Sequence, residues 1–188
     1  MTHKITLITL VFALISLTGF SQKTVYAEDI MRDIKAGKNI SISNATVEGI
    51  LDFTFMEEQL EKRPRKKASR KRNNTIKYTI SSKVSFTNCT FKNHVLGYIP
   101  DGENTGYTFI ADFEDEVIFN NCMFERKAMF KHSTFVRKAS FEGSTFDSGT
   151  TFKHAIFEKS ANFKNTVFDG GNTFKHAMFK EMVSNFLN

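Results

Sequence analysis

Three Phe-Lys-His triplets stand at 130–132, 152–154 and 174–176, so His132, His154 and His176 recur every 22 residues behind Lys131, Lys153 and Lys175. Neutral imidazole is a common ligand for zinc and copper, which makes a metal ladder the chemical reading of such a column. The adjacent lysines, the lack of an evident carboxylate to orient the rings and the linear arrangement all argue against a tetrahedral site. Duplication of a repeat copies a Phe-Lys-His unit whether or not anything binds, and this is the favoured account. No metal and no cofactor is expected. Stacked like charges disfavour protonation, so the column is expected to titrate below the ordinary imidazole value of about 6.5.

Cys89 and Cys122 each stand two residues before a Phe, in Phe86-Thr87-Asn88-Cys89-Thr90-Phe91 and Phe119-Asn120-Asn121-Cys122-Met123-Phe124. Free thiols pack as small apolar groups, and a disulfide is the alternative in an oxidising compartment. The free state is favoured, and neither state implies catalysis. The strongest charge feature is Lys62, Arg63, Arg65, Lys66, Lys67, Arg70, Lys71 and Arg72, eight cations in eleven residues. Such a block is either a solvated loop or a contact for a polyanion or an acidic partner. With residues 1–21 and this block set aside, 17 basic and 20 acidic residues remain, so the basic character of the chain belongs to one segment. The sequence contains no nucleophile elbow, phosphate-cradling glycine loop or paired-cysteine metal motif, so no catalytic residues are assigned and an enzyme is not expected.

The elements that must position these residues follow from the aromatic residues. Of 188 residues 21 are Phe and none is Trp, which suggests one slot used repeatedly. Phe119, Phe124, Phe130, Phe135, Phe141, Phe146, Phe152, Phe157, Phe163, Phe168, Phe174 and Phe179 are spaced alternately five and six apart. Two residues before each stands a smaller one, such as Ala139, Ser144, Thr150 and Ala155. In extended backbone, residues i and i−2 share a face, so large and small side chains enter one interior while the residues between them meet water. Polar positions repeat every 22 residues, as in Glu125, Asp147 and Asp169, which predicts a coil of four short faces centred on those phenylalanines as structural core.

These residues resemble the pentapeptide-repeat family, in its Phe-rich form with alternating five- and six-residue steps. Ala111-Asp112-Phe113, Ala139-Ser140-Phe141 and Ala161-Asn162-Phe163 fit its pattern of small residue, polar residue, then Leu or Phe. The resemblance covers about residues 40–180 and implies an all-β fold, a right-handed quadrilateral β-helix. Some members of the family mimic DNA and bind topoisomerases through an acidic surface; the charge here has the wrong sign for that role.

The expected organisation is a signal peptide at 1–21, an N-terminal helical cap at 22–39, a β-helix at 40–182 and a tail at 183–188. Residues 5–20 form an uncharged apolar run that is short for a membrane span, and Gly19-Phe20-Ser21 offers a cleavage site. The mature chain is therefore expected to start at Gln22, in the periplasm or outside the cell. Ile30, Met31 and Ile34 have helical spacing ahead of Gly37. Phe86 and Phe91 lie 33 before Phe119 and Phe124, which requires an excursion near 97–107, and the pattern lapses again at 56–75. The last rung needs cover, either from Phe186 and Leu187 or from a second copy in a homodimer. The expected role is a structural or partner-binding scaffold. The alternative is an electrostatic adaptor that holds an anionic envelope component through residues 62–72. The partner is an unknown protein or an anionic envelope component, and nucleic acid is not expected.

Overall fold

The computed structural model describes residues 22–61, 74–100 and 106–181. Two-residue strands recur at each small-to-Phe step and stack in parallel into four sheets, one per face. The first face stacks Ile40–Ser43, Val84–Thr87, Val117–Asn120, Ala139–Ser140 and Ala161–Asn162. The second runs from Lys23–Tyr26 through Ala45–Glu48, Thr90–Phe91, Met123–Phe124 and Thr145–Phe146 to Val167–Phe168. Leu51–Asp52, Val95–Leu96, Ala128–Met129, Thr150–Thr151 and Asn172–Thr173 build the third. The fourth holds Thr75–Ile80, Thr108–Phe113, Thr134–Phe135, Ile156–Phe157 and Met178–Phe179. The result is a mostly β solenoid of stacked parallel rungs.

Register follows the aromatic lattice. Phe113 pairs with Phe135, Phe135 with Phe157 and Phe157 with Phe179 on the fourth face. Equivalent rings stack along the axis: Phe124 on Phe146 at 4.4 Å and 12°, and Phe135 on Phe157 at 4.8 Å and 3°. Phe141, Phe146, Phe152 and Phe157 occupy the first, second, third and fourth faces of one coil, and each is 0% exposed. Burial of the aromatic side chains drives the assembly, while the backbone polar groups are satisfied between rungs. At the upper end the expectation of a full core fails for Phe168, Phe174 and Phe179, which are only partly buried. Each is the last ring of its stack among the described residues; residues 182–188, with Phe186 and Leu187, lie outside them.

The two five-residue corners explain the step alternation. At each, an amide bonds to the carbonyl three residues back: Ser144 to Phe141 at 3.1 Å, Ala155 to Phe152 at 2.9 Å. The second central residue of the turn then sits at positive φ, a position that suits Gly or Asn. Between the first and second faces that residue is Asn44, Asn88, Asn121, Gly143 or Asn165. Between the third and fourth it is His132, His154 or His176, with φ of 62°, 57° and 61°.

The lower end is more elaborate than the sequence suggested. The expected cap includes a helix, α1 (Ala27–Lys35), that buries Ala27, Ile30 and Ile34 and ends at Gly37 with φ 73°. It is preceded by a strand, Lys23–Tyr26, which pairs with Ala45–Glu48 and so extends the second face by one rung. Both excursions leave the coil at one place, the corner between the third and fourth faces. The first is longer, since Ile40 pairs with Val84, and it begins as a helix, α2 (Met56–Glu61). In the second, Tyr98–Ile99 turns back antiparallel against Phe109–Ile110. Ile76, Tyr107 and Phe109 form a small separate core there, packed by Met56, Leu60 and Ile99. The described part of the first excursion is thus helical and packed.

Gly97 belongs to the coil, not to the excursion expected from that residue: its amide donates to the Met129 carbonyl at 2.7 Å. It takes the slot that Phe53 and Phe130 fill in the neighbouring coils. A Cβ there would stand 3.0 Å from Phe130 Cδ1 and 3.1 Å from Ser133 Oγ, so a side chain would fit only if those neighbours gave way slightly.

Candidate functional site

The corner between the third and fourth faces brings together Lys131, Lys153 and Lys175 with His132, His154 and His176. His132 and His154 are half-buried and His176 is exposed. The rings of His132 and His154 lie 4.8 Å apart at 4°, and those of His154 and His176 4.8 Å apart at 17°. Beside them run Lys131, Lys153 and Lys175. At the foot of this strip the Lys131 ammonium donates to the Tyr98 hydroxyl at 3.1 Å and lies 4.8 Å from that ring's centre.

Electrostatics on this corner is one-signed. His132 is held below the ordinary imidazole value by partial burial, then by Lys131, His154, Lys153 and Lys77. His154 is lowered by desolvation, then by His176, Lys153, Lys131 and Lys175. Several other charged side chains pair between rungs: Lys83 with Glu116 at 2.6 Å, Lys159 with Glu181 at 2.6 Å, and Lys180 with Glu158 at 2.7 Å. Among the described residues no ion pair includes Lys131, Lys153 or Lys175. No group of three His, Cys, Asp or Glu side chains that could hold a metal ion occurs among them either.

A second column, inside the first corner, consists of Ala45, Cys89, Cys122, Ser144 and Thr166. Each side-chain donor reaches the carbonyl that opens the turn one coil below: Cys89 to Ile42 and Cys122 to Phe86, both at 3.6 Å, Ser144 to Phe119 at 2.6 Å, and Thr166 to Phe141 at 2.9 Å. The small inward position is therefore a hydrogen-bonding rung as well as a space-filling one. Sequence reasoning read only its size, although the run of Cys, Ser and Thr carried the signal. Cys89 and Cys122 are free thiols, each 2% exposed. The Cys122 thiol is pushed up by its hydrogen bond to Cys89 and by burial.

An open groove of about 1000 Å³ lies between α1, α2 and the lower third face. Its floor includes Met31, Ile50, Phe55 and Leu96. Asp52 at its edge is committed to structure: it accepts from the Thr54 hydroxyl at 2.6 Å and from the Thr54 and Met56 amides at 2.9 and 3.1 Å. Burial raises its carboxyl above the usual range against those bonds. Lys62, Arg63, Arg65, Lys66, Lys67, Arg70, Lys71 and Arg72 lie outside the described residues. On either side of them, Glu61 ends α2 and Asn74 leads into Thr75–Ile80 of the fourth face.

Residues 130–178 match a family model described as pentapeptide repeats, in nine copies. This stretch belongs to the pentapeptide-repeat family. The matched segment is the one in which five- and six-residue steps run without interruption, and it contains the whole Lys/His corner. No curated protein and no solved structure matches the chain. Pentapeptide repeats supply a scaffold here; what the scaffold holds must be argued from its surface.

Proposed function

We propose that the protein is an exported, non-catalytic pentapeptide-repeat scaffold that binds a partner through its flat faces. The observation that carries this reading is the fully buried Phe lattice, with Phe119, Phe124, Phe130, Phe135, Phe141, Phe146, Phe152 and Phe157 each at most 1% exposed. Interior residues are committed to stacking, so function falls to outward positions repeated at every rung. Support for export is the apolar run at residues 5–20 followed by Gly19-Phe20-Ser21.

A second reading makes the basic segment 62–72 an electrostatic tether to an anionic envelope component. Its support is the density of charge in that segment, eight cations in eleven residues. Deleting residues 62–72 separates the two. In pull-downs from an envelope fraction, the loop-deleted protein should retain its partner as the full chain does. Loss of retention on deletion would transfer the function to the tether, and no retention by either protein would contradict both.

A further inference from the structure

We propose that the corner between the third and fourth faces is a binding strip for a linear acidic polysaccharide, formed by Lys131, Lys153 and Lys175 in one column and His132, His154 and His176 in the next. The proposal deepens the scaffold reading by naming a surface and a partner class, and it rests on that reading.

Three observations carry it. First, the turn does not ask for histidine. The same backbone conformation at the opposite corner is filled by Asn121, Gly143 and Asn165, and histidine is one of several residues that adopt it. Backbone geometry alone therefore does not set imidazole at all three positions.

Second, the strip stacks like on like, and cations directly opposite one another on adjacent strands repel. The neighbouring acids do not neutralise it. Asp112 accepts from Lys77 at 2.7 Å and from the Thr134 amide at 2.8 Å, and Glu158 is taken by Lys180. The groups bearing on His132 and His154 are Lys77, Lys131, Lys153, Lys175 and the other imidazoles, with Tyr98 at the foot of the strip. An external anion would relieve repulsion that nothing within the corner relieves.

Third, the imidazole spacing is even. The two ring separations are both 4.8 Å, one imidazole per rung, and each ring follows a Lys in the chain. A polyuronate repeats its carboxylates along an extended chain, so its anions also recur along one axis. Its hydroxyls suit neutral imidazole, which offers one donor and one acceptor. Duplex phosphates follow a helical path and leave a straight strip after a few contacts.

A bound polyanion would favour the protonated rings, so affinity should rise as the pH falls through the imidazole range. Carboxylates of the sugar and the cations of segment 62–72 keep their charge between pH 5.0 and 7.5, and comparison with the histidine variant isolates the part of any pH-dependent gain that belongs to these imidazoles. The test uses the full chain with de-esterified polygalacturonate at constant ionic strength. Binding should be about tenfold tighter at pH 5.0 than at 7.5. The triple variant His132→Asn, His154→Asn, His176→Asn should lose that gain while keeping its fold, because Asn already serves this turn at positions 121 and 165. Lys131→Gln, Lys153→Gln and Lys175→Gln together should weaken binding about tenfold or more at both pH values. The proposal is overturned if the pH gain survives in the histidine variant, if the methyl-esterified polymer binds as well, or if duplex DNA is preferred. Any of these leaves the scaffold reading standing so long as the loop-deleted protein still retains an envelope partner.

Discussion

Phe141→Ala should destabilise the protein by about 3–5 kcal/mol, the combined cost of lost burial and an unfilled cavity. Phe141 is 0% exposed and lies between Phe119 at 5.7 Å and Phe163 at 5.1 Å, with Phe152 edge-on at 5.1 Å. Those neighbours cannot collapse into the gap, because hydrogen bonds fix each rung's height. The Phe141 amide donates to Asn162 at 2.8 Å, and the Ala139 amide to Ser160 at 3.1 Å. Phe179→Ala is the control: its ring stacks on Phe157 at 4.8 Å but is only half-buried, so roughly half that loss or less is expected. Denaturant unfolding of both variants checks this. Equal losses at the two positions would mean that the coil interior and its upper rung are equivalent, contrary to the burial pattern.

Ser144→Ala should cost about 1–3 kcal/mol although it removes a single atom. The Ser144 hydroxyl is fully buried, donates to the Phe119 carbonyl at 2.6 Å and accepts the Cys122 amide at 2.9 Å. Alanine leaves both backbone groups without that partner in an aromatic interior. Ser144→Thr should largely restore stability, since Thr166 makes the equivalent bond one coil above. Thermal unfolding of the two variants decides the matter. An unaffected alanine variant would show that this column fills space and does nothing more.

The Phe spacing made the four-faced coil legible because burial of one large residue per face is a periodic constraint that sequence displays directly. The family match confined to 130–178 reflects the same fact. Below Phe119 the period is broken by excursions, and Ile40 pairs with Val84 and Val84 with Val117 at unequal separations. What those excursions do was hidden, because Ile76, Tyr107 and Phe109 pack as a local cluster with no repeat to betray it. Strand Lys23–Tyr26 was missed because it is mostly exposed and borrows its register from Ala45–Glu48. The Lys/His columns were visible as a period of 22, but their meaning depends on backbone conformation. Only the positive φ of His132, His154 and His176 shows that they hold the turn position that Asn or Gly fills at the opposite corner. The partial exposure of Phe168, Phe174 and Phe179 was likewise beyond a pattern that treats every repeat as interior.

NMR titration of the imidazole protons reads whether residues 22 apart share one corner and its positive surroundings. His132 and His154 should titrate below about 6.5, and Lys153→Gln should move both upward, since Lys153 bears on both rings. A depressed folded value means that the unfolded chain binds protons more readily, so stability should decline as the pH drops below about 6.5. Midpoints at or above 6.5 that do not respond to Lys153→Gln would contradict the stacked register and the one-signed corner together.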